Sequence, residues 1–247
     1  MATIVLAGTF DSKGLEYVFV RNKITSTYPK CRVILIDIGY IQDPDPNVIV
    51  PDIRSAEVAL KAGCESIETL RSGDRDAGYR LMTNGLKLIL KEMLDKGEMH
   101  GLLGLGGTCG SSMLTAVMHE LPIGIPKVMI STAASTPASL KYHGLVDLTL
   151  INCVTDIFGG VNRFNSRLMA NGAVAIAAMA LDYWETNHAA SSVTCSIPQN
   201  SAPVIAVSMM GAVMPCVKVV HKHLTDLGYE VVIFCAIGNN LFFCHTH

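Results

Sequence analysis

The stretch GLLGLGGTCGSS spans residues 101–112, and its turn at 104–111 contains four glycines. The apolar run 101–104 predicts a short buried strand, and SSMLTAVMH at 111–119 predicts the helix that follows it. Glycine lets the backbone turn tightly and approach a ligand, because it has no Cβ. The N–H groups at the start of a helix point outward and favour an anion. The stretch therefore predicts an α/β fold with a phosphate site at the turn.

The pattern of the turn leaves the identity of the ligand open. It is not a P-loop, since no Gly-Lys-Ser or Gly-Lys-Thr follows, and its last glycine comes one residue too late for the dinucleotide-binding pattern GxGxxG. The alternative is a tight turn whose glycines serve packing alone. The candidate phosphate-binding residues of the turn are Gly106, Gly107, Thr108, Gly110 and Ser111.

Outside this turn, apolar runs alternate with helical patterns, as they do in parallel βα units. Strands are predicted at residues 3–6, 32–37, 101–104, 127–131 and 146–151, and helices at 12–26, 53–62, 74–96, 111–119 and 161–184. This alternation predicts a Rossmann-like α/β domain over residues 1–184, in which an open parallel sheet has helices on both faces.

The composition changes after residue 184. Residues 185–202 are rich in Ser, Thr and Asn and show no periodicity, so we expect an interdomain linker there. Residues 203–247 begin afresh, with strands predicted at 203–208 and 230–234 and a helix at 214–227. One βαβ unit has too little core to be stable alone. We therefore interpret 203–247 as the incomplete start of a second α/β domain.

The composition also argues against several classes of protein. The net charge is −2 and only 16% of the residues are charged, so no nucleic-acid-binding surface is expected. The most apolar run, 168–184, is shorter than the roughly 20 residues of a membrane span and is interrupted by Asn171 and Gly172. No secretory leader is visible, and the eight cysteines include no CxxC pair. We expect a cytoplasmic protein with reduced thiols, no cysteine metal site and no membrane contact.

Further candidate residues follow other predicted strands, at the edge where open parallel sheets bind ligands. Gly8, Thr9, Asp11 and Lys13 follow the first strand. A lysine in the first turn of a helix opposes the helix dipole, which favours a phosphate contact for Lys13 and for the neighbouring Thr9. Asp11 has helix capping as its alternative role. Asp37 ends the second strand, where many nucleotide-binding folds hold a ribose hydroxyl.

Two later strand ends are also candidates. The small residues and hydroxyls at Ser131 and Thr132 suit a purine or ribose close to the backbone, and they suit a helix cap equally. Asp156 is a candidate ligand of a ribose or a magnesium ion, with Asn162 orienting it, and capping is again the alternative. Apart from a candidate thiol at Cys109, no motif for catalysis is visible, so the catalytic residues stay unassigned.

Four motifs, taken in order, resemble the UPF0261 family, the Tm-1-like ATP-binding proteins. They are GTFDSKG at 8–14, GLGGTCGSS at 104–112, LPIGIPKVMISTAAS at 121–135 and TDIFGGVNR at 155–163. The resemblance covers residues 3–184 and implies an N-terminal domain that binds ATP, with or without magnesium, and forms homodimers. It implies that residues 203–238 start a second, longer α/β domain. The positions on its strongest motifs are Thr9, Asp11, Lys13, Gly106, Gly107, Thr108, Gly110, Ser111, Ser131 and Thr132.

Three hypotheses for function follow. The first is adenine-nucleotide binding in a regulatory or binding role, with no assigned reaction. The alternative is an ATP-dependent hydrolase or transferase that acts on a small metabolite and needs a complete second domain. The third is a module that binds an unidentified protein partner, for which the residues give no separate signal.

Overall fold

The structure, a computed structural model, describes residues 1–139, 142, 146–188 and 202–236. The chain divides into two compact units, residues 1–189 and 190–247. The predicted linker at 185–202 lies largely outside the described residues, and so does the C-terminal segment 237–247. The first four residues of that linker are described, and they continue the last helix of the first unit.

The first unit is built on five parallel strands. They are β1 (Ala2–Gly8), β2 (Cys31–Asp37), β3 (Gly101–Gly106), β4 (Lys127–Ser131) and β5 (Thr149–Asn152). Their order in the sheet is β2-β1-β3-β4-β5, so the direction of winding reverses between β1 and β3. Every residue of β1, β3 and β4 is buried, which explains their nearly continuous apolar sequence. The predicted open parallel sheet is confirmed.

Helices cover both faces of this sheet, as predicted. They are α1 (Phe10–Thr27), α2 (Ser55–Lys61), α3 (Ile67–Ser72), α4 (Arg75–Asp95), α5 (Thr108–Met118) and α6 (Asn165–His188). One hydrophobic cluster joins α2, α4 and α5 to the sheet, and a second joins α1 and α6 to its other face. The sequence did not predict α3, which is short and begins at a local cap, Ser66.

The apolar run 168–184 lies in α6, and one face of this helix is buried against the sheet. Its small residues let the helix approach the sheet closely: a Cβ added at Gly172 would lie 2.6 Å from Ile130 Cδ1. Ala173, Ala177 and Ala180 on the same face are fully buried. In the part of the chain that the structure describes, no helix is both long and apolar enough to cross a membrane.

The second unit contains one parallel βαβ element. It comprises β6 (Val204–Met209), α7 (Met214–Asp226) and β7 (Glu230–Cys235), with Val204 paired to Glu230 and Met209 to Cys235. Val217 is the sole buried hydrophobic side chain among its described residues. Val219 and Leu227 are 70% and 60% exposed. This element therefore carries little hydrophobic core of its own.

Candidate functional site

A cavity of about 580 Å³ lies beyond the carboxyl ends of β1, β2 and β3, where the winding of the sheet reverses. Small-molecule sites typically measure about 300–1,000 Å³, and open α/β sheets bind ligands at this switch point. Four segments form its walls: residues 9–13, residues 38–42, the start of α4 and residues 107–110. The predicted residues Thr9, Asp11, Lys13, Gly107, Thr108 and Gly110 thus line one cavity.

The amino end of α5 opens into this cavity without a side-chain cap. Its N-cap residue is Gly107, which has no side chain to accept the first N–H groups of the helix. Thr108, Cys109 and Gly110 form the first turn and line the cavity. The N–H groups of a first helical turn have no partner within the helix and carry partial positive charge. An anion in the cavity is the ligand that this geometry favours.

Packing explains one glycine of the turn but not the next. A Cβ at Gly106 would lie 3.2 Å from Gly110 Cα, a tight contact, so glycine lets α5 approach the strand end closely. A Cβ at Gly107 would meet only Thr132 Oγ1, at 3.6 Å, and its φ of −83° suits any L-residue. Glycine at 107 leaves the helix end uncovered.

The hydroxyl of Tyr17 lies between the carboxyl ends of β1 and β3 and bonds to both strands. Its hydroxyl accepts the N–H of Leu105 at 2.9 Å and donates to the carbonyl of Ala7. The side chain is fully buried, and burial raises its pKa, so it keeps the proton that it donates. A Cβ at Gly8 would lie 1.9 Å from this hydroxyl. The predicted contact residue Gly8 therefore has a steric reason to be glycine.

Arg75 supplies a cation at the cavity wall, although its position in the sequence did not single it out as a candidate. Its Nε donates to Tyr79 Oη at 3.1 Å, and its guanidinium carbon lies 5.8 Å from the centre of the Tyr79 ring. The backbone carbonyl of Arg75 accepts the hydroxyl of Tyr40 at 2.7 Å. A cation in the first turn of α4 opposes the helix dipole, the same signal that singled out Lys13.

Lys13 lies on the opposite wall, where the backbone of α1 departs from helical angles (φ −135°, ψ 22°). Its ammonium donates to the carbonyl of Ile157, and Glu16 Oε1 nearby accepts the N–H of Gly160 at 3.1 Å. The two side chains fasten the segment after β5 to α1. An ammonium has three donors, so the bond to Ile157 leaves Lys13 able to contact a phosphate as well.

Two carboxylates that are far apart in the sequence meet below the cavity. The pairing of Gly8 with Asp37 in the sheet brings them together. A Cβ at Gly39 would lie 3.0 Å from Asp11 Oδ1 and 3.1 Å from Asp37 Oδ1. Buried side-chain oxygens without a hydrogen-bond partner, among the described residues, are Asp11 Oδ1 and Asp37 Oδ2. The sequence alone does not reveal this pair, because only the strand register brings Asp11 and Asp37 close together.

The surroundings of Asp37 differ from those of a surface carboxylate. Its side chain is 0% exposed, and Oδ1 accepts the N–H groups of Phe10 and Gly39 at 3.1 and 2.9 Å. Burial raises the pKa of Asp37 to about 7, and the nearby carboxylate of Asp11 adds to the shift. Burial also raises the pKa of Asp11. The negative charge on this pair is therefore costly.

The hydroxyls predicted at the end of β4 are buried beside the cavity. Ser131 and Ser111 are both 0% exposed, and their Oγ atoms lie 2.6 Å apart. Ser131 Oγ also accepts the N–H of Ala133 at 3.0 Å. These hydroxyls join α5 to the end of β4. Thr132 is half-buried, with its hydroxyl facing Gly107.

The last two candidates, Asp156 and Asn162, lie in the segment after β5 and are not among the residues that line the cavity. Asn162 Oδ1 accepts the N–H groups of Phe164 and Asn165 at 2.9 and 3.0 Å, and Asn165 Oδ1 accepts the N–H of Asn162 at 2.7 Å. Asp156 Oδ1 accepts the N–H of Ile157 at 2.8 Å. Both side chains accept hydrogen bonds from nearby backbone groups, and the bond to Asn162 from the N–H of Asn165 lies at the start of α6. No group of three or more His, Cys, Asp or Glu side chains suited to a metal ion occurs among the described residues.

Comparison with known proteins gives a consistent family. Residues 2–185 match the model of the "Uncharacterised protein family (UPF0261) N-terminal domain". A UPF0261 protein of Clostridium tetani is 31% identical over 237 residues, which are 95% of this chain and 54% of that protein. The tomato ToMV resistance protein Tm-1(GCR237) is 35% identical over 164 residues, which are 66% of this chain and 21% of that protein. The chain thus spans about half the length of the bacterial relative.

Among solved structures, a UDP-GlcNAc 2-epimerase of Neisseria meningitidis, solved bound to UDP-GlcNAc, is similar with a TM-score of 0.37 and 10% identity. The match covers 98% of this chain and 67% of the epimerase. A likeness at this level supports no inference about function.

Proposed function

This chain belongs to the UPF0261 family, and we propose that its first unit binds an adenine nucleotide by the phosphates. The observation that carries the proposal is the uncapped start of α5 at Gly107, which faces a cavity of about 580 Å³. An uncapped helix start supplies oriented N–H donors, and the missing side chain at 107 leaves room for a phosphate against them.

Charged and hydroxyl side chains around the cavity support a phosphate ligand. Arg75 and Lys13 stand on different walls and supply positive charge. Thr9, Ser12 and Thr108 supply hydroxyls at the same cavity. A guanidinium forms short, charge-assisted hydrogen bonds with phosphate oxygens. The buried hydroxyls of Ser111 and Ser131 shape the site by joining α5 to the end of β4.

The adenine base is the part of the proposal that rests on the family resemblance. Magnesium would arrive with the nucleotide, and we assign it no protein ligand. The role that we propose is binding or regulation. Homodimer formation, a location in the cytoplasm and a protein partner stay predictions from the sequence.

A substitution at Gly107 tests the proposal sharply. In Gly107→Asp, the new carboxylate would cap α5 and occupy the phosphate position with negative charge. We expect the affinity for ATP, measured by calorimetry, to fall at least about 100-fold, while the free energy of unfolding rises by roughly a few tenths of a kcal/mol.

Gly107→Ala is the matched control, because its Cβ would have only one neighbour, at 3.6 Å. We expect its ATP affinity to stay within about threefold of the wild type, since a methyl group neither accepts a hydrogen bond nor carries charge. ATP binding with equal affinity to the wild type and to Gly107→Asp would exclude this site.

A second candidate is an ATP-dependent hydrolase or transferase. The buried carboxylate pair beside the cavity favours it, because perturbed acids cluster at catalytic sites. Such an enzyme would need the part of the longer relatives that this chain does not span. Phosphate release by the full-length Clostridium tetani relative, absent in this chain, would support it.

A further inference from the structure

Asp37 connects two walls of the cavity through one oxygen. Its Oδ1 accepts the N–H of Phe10 at the start of α1 and the N–H of Gly39 in the segment after β2. Both segments line the proposed phosphate site. The other oxygen, Oδ2, is buried and has no hydrogen-bond partner among the described residues. Asp37 therefore has one oxygen that positions the site and one that is free to carry a proton.

Two acidic side chains and the neutral phenol of Tyr17 surround Asp37. Asp11 and the phenol of Tyr17 face it from α1, and Asp43 faces it from the segment after β2. Asp37 also borders a hollow of about 500 Å³, whose lining includes Asp43, the acidic residue Glu68 and the cation Arg54. A phosphate bound above Asp11 would add at least one more negative charge to this group.

We propose that Asp37 is a positioning residue that binds a proton when the site binds a phosphate, so that the ligand enters together with about one proton. This inference rests on the proposed phosphate site. A proton on Oδ2 removes the negative charge nearest the ligand, and it leaves Oδ1 as a carbonyl oxygen that still accepts from Phe10 and Gly39. Both walls thus keep their positions while the repulsion is lost.

The pH dependence follows from the ionisation of the free site. Burial raises the pKa of Asp37 to about 7, so this carboxyl group is mostly ionised at pH 8 when no ligand is bound. A bound phosphate disfavours the carboxylate and raises this pKa further. Affinity is then highest below pH 7, where Asp37 already carries its proton, and falls as the pH rises through 7 and above.

The test is calorimetry with ATP on the whole chain, in two buffers of different ionisation enthalpy at pH 8.0. The phosphates of ATP are ionised at that pH, so the wild type should take up about one proton for each ATP bound. In Asp37→Asn, whose amide oxygen can still accept from both N–H groups, uptake should fall close to zero. From pH 6.5 to 8.5 the affinity of the wild type should fall about tenfold relative to that of Asp37→Asn.

Each outcome decides the inference. ATP binding to the wild type without proton uptake at pH 8.0 would overturn it and leave the phosphate site intact. An ATP affinity that depends on pH in the same way in the wild type and in Asp37→Asn would also overturn the inference. A purely structural Asp37 would leave that dependence unchanged. If Asp37→Asn fails to fold, Asp11→Asn decides: proton uptake that persists in that variant supports Asp37, and uptake that is lost overturns the inference. No ATP binding at pH 6.5 would instead refute the proposed function itself, and with it this inference.

Discussion

Helices α5 and α6 both follow a glycine pair at the same edge of the sheet, yet their amino ends differ. At α6, Asn162 and Asn165 satisfy each other's backbone N–H groups within four residues. At α5, the N-cap is Gly107 and no side-chain cap is present. A helix start that the local chain satisfies needs no ligand, whereas one left uncapped beside a cavity is suited to bind an anion.

Helix α1 is intermediate between these two. Its N-cap, Thr9, forms no capping hydrogen bond to the helix, but the first N–H of the helix, that of Phe10, is accepted by Asp37 from a neighbouring strand. The starts of α1 and α5 meet at one cavity, so one of them is available to a ligand and the other is held by a carboxylate. The difference between α5 and α6 is the basis of the following predictions.

The largest effect is expected where the strands that lead to α1 and α5 diverge. Tyr17→Phe removes the hydroxyl that serves the N–H of Leu105 and the carbonyl of Ala7, and it leaves both buried and unsatisfied. We expect the free energy of unfolding to fall by about 3 kcal/mol, measured by urea denaturation. Tyr28→Phe, at a half-buried ring, is the control and should change it by less than about 1 kcal/mol.

A smaller effect on binding is expected from the missed cation. Arg75→Ala should weaken ATP binding about tenfold, because one charge-assisted contact at the wall is lost. Arg80→Ala removes the same charge one turn later on α4, from a residue that is not among those lining the cavity. Equal losses in calorimetry for the two variants would show a general charge effect, and would remove Arg75 from the site.

The smallest effect separates the capped helix start from the uncapped one. Asn162→Ala removes the oxygen that accepts from Phe164 and Asn165. We expect a loss of about 1 kcal/mol in thermal or chemical unfolding, which is typical of a lost cap. Its ATP affinity should stay within about twofold of the wild type, so this variant reverses the pattern expected for Gly107→Asp. Strongly weakened binding in Asn162→Ala would place the segment after β5 in the site.

The sequence predicted those parts of the site that depend on local signals. The turn at 104–111 was found because strand, glycines and helix follow one another directly. Arg75 was missed although its signal equals that of Lys13, since the start of α4 follows a helix and not a strand. Such patterns predict where a helix begins, but they do not predict which residues lie next to that helix start in space.

The remaining features depend on strand register. Gly106 pairs with Ser131 in the sheet, which brings the hydroxyls of Ser111 and Ser131 together and buries them. Gly8 pairs with Asp37, which places that carboxylate under the start of α1, where it accepts the N–H of Phe10. In both cases the sequence singled out the residue, but its hydrogen-bond partner lies on a helix that the strand register brings next to it. Hydroxyls and carboxylates at strand ends suit ligands and caps equally well, so composition alone cannot separate the two roles.

The cap that Asp37 provides has a consequence for local motion. A cap on the helix's own chain frays together with the helix end, because nothing else holds it. Asp37 instead sits at the buried carboxyl end of β2, so the first N–H of α1 cannot open unless it parts from that strand. That wall of the cavity should therefore open only with the sheet itself, in the slowest-exchanging class of amide protons, even though it borders solvent.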